Sequence, residues 1–206
     1  MIWRACFRLA LNNVMSEIPD IFAEFPILTT ERLQLRQIRP SDVPAIYAIF
    51  SDPDVTRFYG MEPYSSWTQA DALVARWLKR FSDRHLIRWV ITMRNEDDVI
   101  STCGFNEWKR GFHCGGVGYD LAKVHWRQGL MSEALTAVVN FGFSQMNLHR
   151  IEANVVAENV ASIKLLQKLG FKNEGLLREA GYWNQTFHDM ILFALLQNDF
   201  QPHLSQ

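Results

Sequence analysis

Apolar and polar residues alternate with period two through Leu33-Gln34-Leu35-Arg36-Gln37-Ile38, which predicts a strand with one buried face. Pro40-Ser41-Asp42 then supplies a helix start. Val43, Ile46, Tyr47, Ile49 and Phe50 recur at helical spacing until Pro53, which disfavours helical geometry in the residue before it. A second helix is predicted over residues 68–81, where Ala72, Leu73, Ala75, Trp77, Leu78 and Phe81 punctuate polar positions. The aromatic-rich loop before it, at 63–67, reads as a substrate lid. Three short β-rich runs follow at 88–92, 99–106 and 115–121, separated by Asn95-Glu96-Asp97-Asp98 and by the segment around Gly111; they predict an antiparallel meander.

From residue 118 the period changes. A strand at 118–121, a helix at 131–145, a strand at 150–156 and a helix at 159–169 make a β-α-β-α unit, whose right-handed crossover sets its two strands parallel. Two closing strands at 176–182 and 188–196 return antiparallel. No linker or repeat interrupts this order, so residues 26–201 are expected to form one α/β (α+β) domain. Its sheet would be mixed and mostly antiparallel, with about seven strands flanked by helices. Residues 1–25 are an N-terminal extension, packed on that domain or frayed.

Composition narrows the function classes. With 48% hydrophobic and 21% charged residues, a chain of 206 residues can bury a core without staples, which excludes a disordered protein. Twenty-one basic and 22 acidic residues are mixed along it, so neither nucleic acid nor an anionic membrane is an expected partner. Cys6, Cys103 and Cys114 form no C-x-x-C pair and no even set, which predicts free thiols in a reducing, cytoplasmic compartment. Arg8 interrupts the short apolar start, which argues against a signal peptide. His85, His113, His125, His149, His188 and His203 lack metal-ligand spacing; they read as surface or satisfied residues, and no metal is expected.

Two segments carry candidate chemistry. His125-Trp126-Arg127-Gln128-Gly129-Leu130-Met131-Ser132 joins a strand to a helix, where unpaired amides and a glycine suit an anion and Arg127 adds formal charge. The same residues also read as an ordinary capped turn. In the second segment Asn159 caps a helix, Ser162 lies in its first turn and Gly170 ends it, a pattern that an amphipathic helix explains without any ligand.

Together, WRQGLMSEAL and RIEANVVAENVASIKLLQKLGF resemble the coenzyme A signature of the GNAT superfamily. TERLQLRQIRPSD resembles the opening of its ribosomal-protein N-acetyltransferase branch, the RimJ/RimL-like proteins, and the resemblance extends over roughly residues 28–197. It implies acetyl-CoA as co-substrate, its pyrophosphate held by backbone amides of Arg127, Gln128, Gly129, Leu130, Met131 and Ser132. Trp126 and Met131 depart from the family's loop pattern, which leaves amide contacts intact. The resemblance further implies that two parallel strands splay to admit pantetheine along Tyr119 and Leu121, and that Asn159 contacts the cofactor.

Catalysis is less inherited. The tyrosine that many members use as acid corresponds to Leu166, and the branch's glutamate aligns with Gly181. Ser162 matches a serine of that branch and is the expected acid or thiolate donor, or else a structural or phosphate contact. Glu152 shares strand parity with Asn154 and becomes the base candidate, beside Glu107, Glu174 and Glu179 and water relays. Tyr59, Trp108 and Tyr182 are candidate acceptor-site walls, with Tyr64, Trp67 and Trp183. The acceptor implied by the branch is the N-terminal α-amine of a protein. A small-molecule amine, or an acetyl-CoA-binding module without turnover, are the alternatives, and an exposed terminal strand leaves room for a homodimer.

Overall fold

The computed structural model describes residues 20–201. Cys6, His203 and residues 1–19 of the extension lie outside the described residues. The elements are β1 (Leu28–Thr29), β2 (Leu33–Arg36), α1 (Val43–Ser51), α2 (Pro53–Thr56), α3 (Trp67–Ser82), β3 (Arg88–Met93), β4 (Val99–Lys109), β5 (Cys114–Leu121), α4 (Leu130–Gln145), β6 (Arg150–Val156), α5 (Val160–Lys168), β7 (Lys172–Trp183) and β8 (Thr186–Leu196). They form one eight-stranded sheet in the order β1-β2-β3-β4-β5-β6-β8-β7. The expected meander is β3-β4-β5, and β5-α4-β6 is the expected crossover, its strands the sheet's parallel pair. The strand beyond the anticipated seven is the two-residue β1, too short to show a period.

Strand alternation sorts the core onto two faces. On one face Leu35, Trp89, Ile91, Phe105, Val117, Ile151, Phe193 and Leu195 meet Leu130, Ala134, Leu135, Val138 and Val139 of α4 and Leu166 of α5. On the other, Val90 and Val99 meet Ile46, Ile49 and Phe50 of α1 and Ala70, Leu73 and Val74 of α3. Each fully buried Leu, Val, Ile or Phe side chain contributes about 1.5–3 kcal/mol. Residues 20–25 lie against the first face. Ile21 is buried there, and the rings of Phe22 and Phe25 stand 5.3 and 4.8 Å from that of Phe81.

The terminal hairpin extends beyond its predicted bounds at both ends. Asn184 and Gln185, both at positive φ, close a two-residue turn between Trp183 and Thr186, the geometry that matches strand twist. β7 is exposed along nearly its whole length and lies at the sheet's edge.

Candidate active site

The sheet is split in its middle. β5 and β6 pair from Cys114↔Arg150 to Gly116↔Glu152 and then separate, although β5 runs on to Leu121 and β6 to Val156. β5 stays paired with β4 and β6 with β8, so the peptide edges of residues 117–121 and 153–156 face each other unpaired. Such edges suit an extended ligand carrying its own amides.

At the wide end of the split lies the start of α4. Gly129, at φ 77°, is its N-cap, and no side chain caps it. The amides of Leu130, Met131 and Ser132 are thus left to a ligand, while the side chains of Leu130 and Met131 are buried. Arg127 also adopts a positive φ, and Trp126 ties the loop to β5 by donating its Nε1–H to the Leu121 carbonyl at 2.7 Å. Glu133 braces the loop from behind. Its carboxylate accepts from the Thr30 hydroxyl at 2.6 Å, the Arg32 amide at 2.8 Å and Arg32 Nε at 2.7 Å, while Arg32 Nη1 donates to the Gln128 carbonyl.

Burial pushes the Glu133 pKa up, but the hydrogen bonds from Thr30 and Arg32 outweigh it and hold the carboxyl below its ordinary value. A lowered folded pKa stabilises the fold above the unfolded value of about 4.3 and loses that stabilisation as pH falls through the folded pKa. Glu133→Gln is therefore expected to destabilise by about 1 kcal/mol at pH 7, after allowance for the half-exposed Arg32, and to flatten the acid limb of stability. Urea unfolding at pH 7 and pH 4 checks both effects.

Across the split, α5 brings Ser162 to β5. The Ser162 and Tyr119 hydroxyls are 2.6 Å apart, and Asn159 Oδ1 accepts from the Ser162 amide at 3.1 Å, fixing that first turn. Burial pushes the Tyr119 phenol well up, so it stays a neutral hydroxyl. A hydroxyl pair at this position can pass a proton to a departing thiolate.

The acetyltransferase (GNAT) domain model matches residues 32–172. The chain belongs to the GNAT acetyltransferase family. It is 40% identical to the uncharacterized N-acetyltransferase YoaA of Bacillus subtilis over 84% of this chain and 98% of that one. The ribosomal-protein-S5-alanine acetyltransferase structure from Vibrio fischeri superposes with a TM-score of 0.70 at 28% identity, over 86% of this chain and all of that one. The spermidine N-acetyltransferase of Vibrio cholerae, in complex with CoA and spermine, gives 0.73 at 22% identity over 82% and 98%. This GNAT enzyme is thus an N-acetyltransferase with RimJ/RimL-like relatives.

In the GNAT chain the face of the split opposite α4 carries a buried polar cluster that no sequence period announced. Arg88 donates to Asp120 Oδ2 at 3.0 Å, Thr102 Oγ1 at 2.9 Å, Tyr59 Oη at 2.9 Å, Asn106 Oδ1 at 3.0 Å and the Gly118 carbonyl at 3.3 Å. Its guanidinium also lies 4.8 Å from the centre of the Trp77 ring. Asp120 accepts from the Thr102 amide at 2.9 Å and from the Thr102 hydroxyl. Burial pushes the Tyr59 phenol up to about 12 and the Cys103 thiol up to about 12, so neither is ionised at neutral pH. Charged residues inside apolar runs, Arg88 and Asp120, were the available signal.

The predicted site residues of this GNAT enzyme divide. Tyr119, Leu121, Arg127 to Ser132, Asn159 and Ser162 converge on the split and its wide end. Glu152 is engaged elsewhere, bonded to Arg150 Nε at 2.7 Å and near Lys109, which also holds Glu107. Trp108 lies away from the open part of the split. It pairs with Gly115 at the closed end of the split and stands 6.0 Å from the Phe22 ring. Tyr182 is also separated from Tyr59, being 62% exposed against Phe187 on the opposite face of its strand from Trp183. Trp183 reaches the Tyr59 segment instead, its indole 3.4 Å from where a Cβ on Gly60 would stand. Leu166 is fully buried in the core. His188, read as a surface or satisfied residue, has a buried Nε2 with no partner among the described residues.

Proposed function

We propose that this enzyme moves the acetyl group of acetyl-CoA to a primary amine by direct attack in a ternary complex, and that the amine is the N-terminal α-amine of a protein. The observation that carries the reading is the split between β5 and β6, open from the uncapped start of α4 to the Tyr119–Ser162 hydroxyl pair. Amides of Leu130, Met131 and Ser132 take the pyrophosphate, the free edges of β5 and β6 take pantetheine, and strand amides face the developing oxyanion. Ser162 and Tyr119 protonate the departing thiolate.

Likeness to the Vibrio fischeri S5-alanine enzyme favours a protein N-terminus, as does the low α-amine pKa of about 7.7–8.0 against about 10.4 for lysine. The spermidine enzyme supports a small-amine reading, and the approach of Trp183 to the Gly60 segment, which narrows the face opposite α4, favours it. The buried free thiols of Cys103 and Cys114 suit a reducing, cytoplasmic setting. The exposed edge strand β7 suits a homodimer. Mass spectrometry of products from Ala-initial peptides, Ser-initial peptides and spermidine tests the acceptor. Acetyl on a peptide α-amine is expected, and acetyl on spermidine alone would overturn that branch.

Ser162→Ala is expected to lower kcat about 10- to 100-fold, the worth of one hydrogen bond to a charged group, with acetyl-CoA affinity little changed. Tyr119→Phe should act similarly, and the double variant should lose less than the sum because the hydroxyls work as a pair. Steady-state kinetics of the three proteins checks this.

A further inference from the structure

The carboxylates on the face of β4, β5 and β6 opposite α4 are all held by cations. Glu107 is held by Lys109, Glu152 by Arg150, and Asp120 by Arg88 with the Thr102 amide. A group that accepts a proton from an incoming ammonium needs a free lone pair, and a carboxylate already bonded to an arginine is a poor one. One titratable nitrogen on that side is not committed. His188 Nε2 is buried and has no hydrogen-bond partner among the described residues.

Its placement follows from the register. His188 shares strand parity with Met190, Leu192 and Ala194, which pair with Val156, Asn154 and Glu152 of β6, whereas Phe193 and Leu195 face α4. The imidazole therefore lies on the face opposite α4, beyond the open end of β6. Directly opposite it on β7 is Gly181, which puts no side chain beside the ring. The space is filled by Trp183, whose ring atoms come within 2.3 Å of where a Cβ on Gly181 would stand. That indole stacks on the imidazole at 3.7 Å between centroids and 6° between planes, and lies 3.4 Å from where a Cβ on Gly60, in the segment carrying Tyr59, would stand. An unpartnered buried nitrogen costs about 1–3 kcal/mol, which a hydrogen-bonding group arriving at the site would relieve.

We infer that His188 is the group that takes the proton from the acceptor ammonium, with Trp183 as the cover that the entering acceptor displaces. This rests on the acetyl-transfer reading above. The ammonium gives one proton to Nε2, and the neutral amine attacks the thioester carbonyl carbon. The C–N bond forms, the C–S bond breaks, and the amine's second proton passes to the departing thiolate. The thiolate takes that proton through the Ser162–Tyr119 pair, and His188 returns its proton to solvent. The balance is ammonium plus thioester giving amide, thiol and one proton.

The test uses the full chain with acetyl-CoA and the three probes named above, Ala-initial and Ser-initial peptides and spermidine. His188→Gln and His188→Ala are expected to lower kcat about 100-fold or more, with CoA binding by calorimetry within about threefold of wild type. Added imidazole should restore His188→Ala at least about tenfold, a rescue that a packing role would not give. Wild-type kcat in His188→Gln would overturn the assignment, as would a loss that follows CoA affinity and ignores imidazole. No transfer by the wild-type protein to any probe would instead overturn the acetyl-transfer reading itself.

Discussion

Arg88→Met is expected to destabilise the fold by about 3–5 kcal/mol, because it strands a charge where water cannot reach it. Asp120 keeps the Thr102 amide and hydroxyl, but its buried carboxylate loses the cation 3.0 Å away. Tyr59 Oη, Asn106 Oδ1 and the Gly118 carbonyl lose the same donor. Adding Asp120→Asn neutralises the stranded charge while still accepting from the Thr102 amide, so the double variant should recover about half of the loss. Urea midpoints of the single and double variants measure the difference. A midpoint for Arg88→Met equal to wild type would show that the cluster contributes nothing to the fold.

Ser132→Asp separates stability from binding. Position 132 is in the first turn of α4, where a carboxylate faces the positive end of the helix and adds about 0.3–1 kcal/mol. The same carboxylate would stand roughly 5 Å from a bound pyrophosphate, a repulsion of about 3 kcal/mol at an effective dielectric of about 20. CoA affinity should therefore fall roughly 100-fold while the melting temperature holds or rises. Calorimetric titration with CoA and a thermal melt read the two effects on one sample. Equal loss in both would mean a misfolded turn rather than an occupied anion site.

The legible part of this protein is the part set by local period and by turn chemistry. Leu33 to Arg36, the helix of Ile46, Ile49 and Phe50, and the β5-α4-β6-α5 unit follow from apolar spacing, and the structure places each within a residue or two of its expected bounds. The uncapped helix start was legible because Gly129 and the turn after β5 supply no side chain to cap it. Strand lengths were not legible at the hairpin. β7 is bulged between Leu177 and Gly181 and exposed on both faces, so no alternation marks it.

Side-chain pairings that no period encodes account for what the sequence concealed. Glu152 has the right parity for a base, but parity says nothing of Arg150 two residues away, nor of Lys109 from a neighbouring strand. Trp108 and Tyr182 stand away from the open part of the split, at positions fixed by a register that hydrophobic pattern alone does not give. His188 becomes visible only once the two-residue turn at Asn184 and Gln185 folds Trp183 back over it.

The most direct measurement follows free thiol as the purified protein is mixed with acetyl-CoA and a panel of N-terminal peptides and small amines, with Ser132→Asp run beside it. The account predicts one thiol released per amine acetylated, with the variant impaired at sub-saturating acetyl-CoA. Thiol release that needs no amine, or none with any primary amine while CoA binds, would contradict it.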